Sequence, residues 1–491
     1  MGKERKRRVI FGMLNVLLLV SCVPAPEKAE EGEIPLQMEE APVLDYTLPK
    51  MYPSIWVNRR GYDADAEKMA VLNGADLPDT FRLVEKATGE VVYTGAVEKG
   101  RYYDTGKEYN SYGNFTEFTQ EGEYYIECAI VGRSYPFRIG NRLTRELMTE
   151  VEDDIRKAAS TEGLPFAKGA SGEIGTKTRD GRIVQSLVLL LAYELYPDTF
   201  GDQDGNQVPD LLETLTEMVK SLRTLQDPRT GEAPGCHYAY AAVLAKYSYL
   251  YQKCDGAYAT ECLNLADQAW RFGEKTRTGQ ESEPEEAYRM LAAAELYRAT
   301  GGYQYRAVVL EDGAAMQTAD SSANGQTVSA NGQTTDSGIL SKENRIWNLA
   351  KITYISTKQR VDVNLCNSFI RGLMREAEDI VARIAELNAF AGDASAQGRQ
   401  DPASLTTEET DDLVWDLILL TVVEYIIANH EYDQVIEARY HYFMGRNPQS
   451  YCFWEPDPAE ASAEEGEIRI PENPVWTAGF LMILSKMAAG G

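Results

Sequence analysis

The sequence predicts a multidomain fold in which an N-terminal β-sandwich precedes an all-α domain. Short runs of alternating apolar and polar residues fill residues 51–140, whereas apolar residues recur at helical spacing across residues 142–491. In the second part, helices of similar length are joined by short and long loops in alternation. This arrangement favours helical hairpins closed into a ring. An open α-solenoid is the alternative, although no repeat of 30 to 50 residues is visible.

The composition of the 491-residue chain is that of a globular protein, with 44% hydrophobic residues. Its length allows two or three domains, one of them large enough for a sizeable core. The formal net charge is −27. An acidic surface of this kind repels phosphate backbones, so we expect no nucleic-acid partner.

The first 22 residues have the pattern of a lipoprotein signal peptide. Basic residues at 3–8 precede an apolar run at 9–20, which is too short to span a bilayer comfortably. The run ends in Leu-Val-Ser-Cys, which resembles the lipobox of bacterial lipoproteins, with Cys22 as the lipidated residue. A plain signal peptide is the alternative. Residues 23–50 are rich in Pro and Glu and predict a flexible linker, so we expect an exported protein anchored to the bacterial membrane at the cell surface.

Metal-binding patterns are few. The six cysteines after Cys22 show no metal-binding spacing, and free buried thiols are expected. The segment 202–213 resembles a calcium loop by count, because acidic residues surround a Gly and Glu213 occupies the twelfth position. However, Gln207 replaces the sixth-position Gly, and Pro209 disturbs the loop path. Calcium binding and a simple polar turn both stand as interpretations, and no other metal is expected.

The predicted strands of residues 51–140 are short and are separated by Gly, Pro and Asp turns. They fall at residues 55–58, 69–72, 81–84, 91–93 and 123–127. The segments 56–62 and 132–139 resemble the start and end of the immunoglobulin-like domain that precedes many bacterial cellulases. The resemblance implies an immunoglobulin-like β-sandwich with a structural role, and no catalytic cluster falls within it.

The second part contains eleven predicted helices, each with apolar residues on one face. They fall at residues 146–160, 183–196, 211–226, 237–252, 258–272, 285–300, 342–357, 365–388, 410–428, 432–444 and 475–488. Residues 311–338 are rich in Gly, Ser, Thr, Asn and Gln and predict a disordered insert.

Several helical segments resemble the catalytic domain of glycoside hydrolase family 9. They are 190–197, 205–213, 291–301 and 445–448. The resemblance covers nearly all of residues 145–491 and implies an (α/α)6 barrel. It also implies inverting hydrolysis of β-1,4-glucans such as cellulose, in polysaccharide catabolism.

The family's catalytic base lies in a Trp-His-Asp-Ala-Gly-Asp-Tyr-Gly segment, which corresponds to residues 168–175. Gly172 and Gly175 keep the register, so Glu173 falls on the second Asp, the base of the family. Ala170 replaces the first Asp, which helps to hold the water. Asp180 is a fallback that needs a register shift. The alternative for Glu173 is a solvated loop acid.

The family's catalytic acid is a Glu five residues before a Trp. In this chain Glu472 lies four residues before Trp476, and a single deletion reconciles the two patterns. Pro471 and Pro474 stiffen the backbone around Glu472. The alternative for Glu472 is a surface acid.

The resemblance also implies candidate substrate contacts. A capped or core position is the alternative for His237, and aromatic core packing is the alternative for Tyr451 and Trp454. His237 lies where the family often has a cleft His, and Trp415 begins the match to a Trp-Gly-Ser-Asn motif. Arg446 belongs to the Gly-Arg-Asn-Pro motif, and Tyr451 and Trp454 follow it. The His of the His-Arg pair that follows this motif in the family is missing.

These substitutions predict an impaired or lost hydrolytic centre on an inherited scaffold. The leading hypothesis is a family 9-like hydrolase whose ligand is a β-glucan or a related polysaccharide. The alternatives are a non-catalytic, cell-surface glycan-binding protein and a structural surface module without a sugar function.

Overall fold

A computed structural model describes residues 52–103, 108–161, 176–225, 235–322, 342–386, 407–454 and 473–490. Within these ranges a β-domain precedes a helical domain, as the sequence predicts. The strands are β1 (Ile55–Trp56), β2 (Tyr62–Asp63), β3 (Met69–Asn73), β4 (Thr80–Glu85), β5 (Val91–Tyr103), β6 (Glu108–Asn114), β7 (Gly122–Cys128), β8 (Gly132–Arg133) and β9 (Phe137–Gly140).

The strands form one curled sheet in the order β1-β3-β6-β5-β4-β7-β9-β2, with β8 paired to β7. β5 joins its two halves, since its first part pairs with β4 and its last part pairs with β6. Curling buries one face around Tyr62, Phe81, Phe115 and Phe137, whose rings contact one another edge to face or at a tilt. These aromatic contacts form the core of the β-domain.

The helical domain contains twelve α-helices within the described ranges. They are α1 (Leu143–Thr161), α2 (Thr176–Leu195), α3 (Asp210–Leu225), α4 (Gly235–Tyr251), α5 (Gly256–Thr276), α6 (Glu283–Thr300), α7 (Tyr303–Ser322), α8 (Lys342–Ser356), α9 (Val363–Glu386), α10 (Thr407–Ile427), α11 (Asp433–Phe443) and α12 (Pro474–Gly490). None of these helices combines the length and the apolar composition needed to cross a bilayer.

Helix α6 shows how local sequence sets a helix's ends. Ser282 and Glu285 form a capping box before the first turn, and Gly301 ends the helix in the left-handed conformation with φ of 70°. Between these signals, residues 287–298 are almost entirely buried. A helix buried on nearly all sides belongs to the inside of a layered structure.

The even-numbered helices form an inner ring. α2 packs on α4, α4 on α6, α6 on α8, α10 on α12, and α12 on α2. The ring closes between α8 and α10, where Arg345 pairs with Asp412 and lies over the Trp415 ring. The odd-numbered helices pack outside this ring. The inner and outer layers therefore alternate along the chain, as in an (α/α)6 barrel.

The inner helices run parallel, so all of them end at one end of the barrel. Four of these helix ends share a buried ion-pair network. Its members are Glu194, Lys246, Glu295, Arg298 and Thr353, from α2, α4, α6 and α8. Arg298 pairs with both carboxylates, Thr353 Oγ1 donates to Glu295 at 2.8 Å, and Lys246 lies 3.5 Å from the same oxygen. We call this the C-terminal network.

Two helices differ from the sequence-based expectation. α7 extends into the insert predicted at 311–338, and no helix was predicted at 303–310. A Cβ on Gly313 would lie 2.7 Å from Leu365 of α9, so this glycine permits close helix packing. α2 begins at Thr176, before the predicted residue 183. The rest of the predicted insert lies outside the described residues, as do Cys22, the signal segment and the linker.

The β-domain and the barrel are joined by buried polar contacts. Arg59 donates its backbone N–H to Met444 O at 2.8 Å and its guanidinium to Ser450 O at 2.9 Å. Asn58 Nδ2 lies 2.9 Å from His441 Nδ1. Burial lowers the pKa of His441 to about 4, so this imidazole is neutral near pH 7.

Candidate active site

The helix starts that follow the two predicted catalytic acids lie side by side. Glu173 and Glu472 themselves lie outside the described residues. α2 begins three residues after Glu173, and α12 begins two residues after Glu472. A Cβ on Gly181 of α2 would lie 4.0 Å from Pro474 Cγ of α12. The two chain segments therefore enter the inner ring at neighbouring positions, whereas convergence of the two carboxylates stays a prediction.

A chain of hydrogen bonds crosses three inner helices near this end of the barrel. Arg182 donates to Gln185 Oε1 at 2.9 Å, and Gln185 Nε2 donates to Thr477 Oγ1 at 3.3 Å. The Thr477 hydroxyl donates to Asn473 O at 3.1 Å, and Asn473 Nδ2 donates to Asp411 Oδ1 at 2.7 Å. We call these five residues the rim network. It joins α2, α12 and α10, and the sequence motifs did not predict it.

His237 lies at the same end of the barrel, in the first turn of α4. The residue is 9% exposed, and its ring packs 4.4 Å from that of Phe272. Burial lowers the pKa of His237, so its imidazole is neutral near pH 7. A neutral ring nitrogen can exchange a hydrogen bond with a sugar hydroxyl, but the predicted role of His237 in substrate binding stays a prediction.

The residue after His237 belongs to a polar cluster with Glu274 of α5 and Arg289 of α6. Tyr238 donates to Glu274 at 2.8 Å, and Arg289 donates to the same carboxylate at 2.8 Å. Burial alone would raise the pKa of Glu274, but these hydrogen bonds outweigh it and lower the pKa. Glu274 therefore remains ionised and is unsuited to donate a proton as a general acid.

Two predicted substrate contacts are buried in packing interfaces. Trp415 is 6% exposed, and the Arg345 guanidinium lies 5.7 Å from the centre of its ring. Arg446 is 4% exposed, and its guanidinium donates to the backbone oxygens of Met69 and Ala438 at 3.3 and 3.2 Å. Because Met69 belongs to β3, the Arg446 side chain joins the β-domain to the barrel, and its predicted contact with substrate stays a prediction.

The other two predicted aromatic contacts have little free ring surface. Tyr451 is 7% exposed, and Asn447 holds its backbone with hydrogen bonds of 2.7 and 2.9 Å. Trp454 is 5% exposed and stacks on Phe480 of α12, with ring centres 6.2 Å apart. Stacking of Tyr451 and Trp454 on sugar rings stays a prediction.

The acidic loop at 202–213 forms a turn closed by its own hydrogen bonds. Asp202 accepts backbone N–H groups of Gly205, Asn206 and Gln207 at 2.7–3.2 Å. The Asn206 amide donates to both Asp204 and Glu213, so it lies between the carboxylates that a cation would bridge. Calcium needs several converging oxygens. In this structure the loop oxygens accept hydrogen bonds from within the loop, and calcium binding stays a prediction.

One further cluster lies at the C-terminal end of the barrel. Glu424, His430 and Asp433 are close enough to hold a metal ion. Lys486 donates to Glu424 at 2.9 Å and also to Asp433, so its ammonium already supplies a positive charge there. Among the described residues, Cys128, Cys254, Cys262, Cys366 and Cys452 are in no disulfide, and none of them belongs to a cluster that could hold a metal ion.

Family models match both domains. The model described as the cellulase N-terminal ig-like domain matches residues 50–133, so the predicted immunoglobulin-like domain is confirmed. The model described as glycosyl hydrolase family 9 matches residues 202–454, which is more than half of the 491-residue chain. Both predicted catalytic acids lie outside the second match. No curated protein sequence matches the chain.

Solved structures support the same fold. A metagenome-derived family 9 endoglucanase is 17% identical in sequence. The match covers 88% of this chain and 98% of the endoglucanase chain, and its TM-score is 0.65. A family 9 protein of Bacteroides ovatus is 16% identical, with coverage of 89% and 99% and a TM-score of 0.63. The structure of AaCel9A in complex with cellobiose-like isofagomine is 16% identical, with coverage of 89% and 100% and a TM-score of 0.63. The predicted (α/α)6 barrel is thus confirmed, and the chain belongs to glycosyl hydrolase family 9.

Proposed function

We propose that this protein is a glycoside hydrolase that cleaves β-1,4-glucans with inversion. The observation that carries the proposal is the side-by-side packing of the starts of α2 and α12. In the sequence, an acidic residue that matches a family catalytic position lies three residues before the start of α2 and two residues before the start of α12. The cellobiose-like ligand bound by AaCel9A supports a β-glucan as the substrate class.

The proposed chemistry divides the work between two carboxyl groups. Glu472 as general acid gives its proton to the glycosidic oxygen, while Glu173 as general base takes a proton from water. The water oxygen attacks the anomeric carbon from the opposite face as the bond to the leaving oxygen breaks. A separation of about 6.5–9.5 Å between the carboxyl groups leaves room for this water.

The proposed centre is slower than that of a family member with both aspartates. Glu173 is one methylene longer than Asp, and a misplacement of about 1 Å can cost on the order of a hundredfold in rate. Ala170 removes a second contact to the water. The same two substitutions favour the second candidate function, a cell-surface protein that binds glycan without cleaving it.

The test is release of reducing ends from soluble β-1,4-glucan by wild type, Glu173→Ala and Glu472→Ala. Glu217→Ala is the matched control, because Glu217 is an exposed acid on the outer helix α3. The proposal requires turnover in wild type and control, and its loss in both site variants. Absence of turnover, combined with calorimetric binding of the same glucan, would establish the glycan-binding alternative.

We also propose that the protein is exported and anchored to the bacterial membrane through a lipid on Cys22. Support comes from the signal-like residues 1–22 and from a substrate class that is found outside the cell. The test is membrane fractionation of wild type and Cys22→Ala. The proposal expects wild type in the membrane fraction and the variant outside it, and equal distribution would contradict it.

A further inference from the structure

We infer that Asn473 and Asp411 of the rim network are positioning residues for the catalytic acid, an inference that rests on the proposed function. Asn473 is 2% exposed, and its amide oxygen accepts the N–H groups of Val475 and Trp476 at 3.0 and 3.3 Å. This is the N-cap of α12. Asn473 directly follows Glu472 in the chain, so a shift of the Asn473 backbone would also move the point at which the predicted acid is attached.

The nitrogen of the same Asn473 amide contacts a different helix, α10. Asn473 Nδ2 donates to Asp411 Oδ1 at 2.7 Å and lies 3.5 Å from the Thr410 hydroxyl. Both partners lie within the first five residues of α10. A hydrogen bond to a carboxylate is stronger than one between neutral groups. N-capping needs only the amide oxygen, so the hydrogen bond from the amide nitrogen to Asp411 has a separate effect.

The hydrogen bond to Asp411 helps to fix the position of the α12 start relative to the neighbouring helices. Thr477 links α12 to Gln185 of α2 on one side, and Asn473 links it to α10 on the other. The backbone next to Glu472 is thereby held between two inner helices. An error of about 1 Å in the placement of a catalytic group can cost on the order of a hundredfold in rate, so loss of this link lowers kcat.

The decisive variant is Asn473→Asp. Aspartate caps a helix as well as asparagine does, so the N-cap of α12 is kept. The donor toward Asp411 is lost, however, and two carboxylates then face each other. We expect kcat on soluble β-1,4-glucan to fall on the order of tenfold to a hundredfold, with KM within about twofold of wild type, since substrate contacts are retained.

Rescue comes from exchanging the two side chains. In the double variant Asn473→Asp with Asp411→Asn, the new amide on α10 donates to the new carboxylate on α12. We expect kcat to return to within about threefold of wild type. Asp411→Asn alone is the matched control, because its amide oxygen still accepts from Asn473. If Asn473→Asp fails to fold, Asp411→Ala carries the same prediction, since it removes the acceptor and leaves the cap.

Each outcome decides the inference. A wild-type kcat in Asn473→Asp, or no recovery in the double variant with an unchanged unfolding midpoint, overturns it. Turnover in wild type that Glu472→Gln abolishes, with Asn473→Asp unaffected, overturns the positioning inference and leaves the proposed function intact. No turnover in wild type overturns the proposed function, and the inference fails with it.

Discussion

Replacement of Glu152 by Gln makes the protein more stable at alkaline pH. Glu152 lies on α1 and is 5% exposed, and its Oε1 has no hydrogen-bond partner within the described part of the chain. Burial, and next the nearby charge of Asp210, raise the pKa of Glu152 from 4.5 to about 7. A carboxylate in this position is costly when it is ionised.

The magnitude follows from proton linkage. Below pH 4.5 the carboxyl is protonated in both the folded and the unfolded protein. Between pH 4.5 and 7 the folded protein alone keeps the proton, so stability is lost as the pH rises through this range. A pKa difference of about 2.5 units, at 1.36 kcal/mol each, gives a total of about 3 kcal/mol. About 2.5 kcal/mol of this falls between pH 5 and pH 8.

The assay is urea denaturation followed by tryptophan fluorescence at pH 5 and pH 8. Glu152→Gln cannot ionise, so its free energy of unfolding relative to wild type should rise by about 2–3 kcal/mol between these two pH values. Glu146→Gln, an exposed acid on the same helix, is the control. A stability difference between Glu152→Gln and wild type that stays the same at both pH values would show that the pKa of Glu152 is not raised by folding.

The remaining predictions concern other buried charges. Glu295→Ala leaves Lys246 and Arg298 of the C-terminal network with Glu194 alone as their shared carboxylate, and should lower the free energy of unfolding by about 3–5 kcal/mol in urea denaturation. Lys157→Ala, at an exposed ion pair, should leave the midpoint nearly unchanged. His441 makes a contribution of opposite sign to that of Glu152: its imidazole is neutral in the folded protein and gains a proton on unfolding. Its share of the free energy of unfolding therefore falls by up to about 3 kcal/mol as the pH drops from 6.5 to 4, and His441→Asn should remove this share. Arg439→Met should raise the thermal midpoint, with a gain of about 1–4 kcal/mol, because Arg439 is 1% exposed and neither of its Nη atoms has an acceptor among the described residues.

The sequence predicted the architecture because its signals are local. Apolar periodicity and caps placed α3 and α6 within a few residues of their observed bounds. α7 was missed because its glycine and small polar residues resemble those of a loop. Gly313 packs closely against Leu365 of α9. No local sequence pattern indicates such a contact.

The site was less predictable, because a sequence motif does not show which way a side chain points or which distant residue it contacts. The motif around Arg446 identified the residue but not the β-domain oxygen that it contacts. Asp411 and Asn473 are 62 residues apart in the chain and meet only after the barrel closes. Asn473 directly before Pro474 is a typical sequence signal of a helix start, but no local pattern identifies Asp411 as its partner.

The most direct test of the proposed hydrolase is the stereochemistry of its first products. Proton NMR of a soluble β-1,4-glucan digest resolves the two anomers before they interconvert. We predict that wild type releases α-anomers first and that Glu173→Ala and Glu472→Ala release neither anomer above background. Initial release of β-anomers, or equal turnover in all three proteins, would contradict the assignment of these two carboxylates.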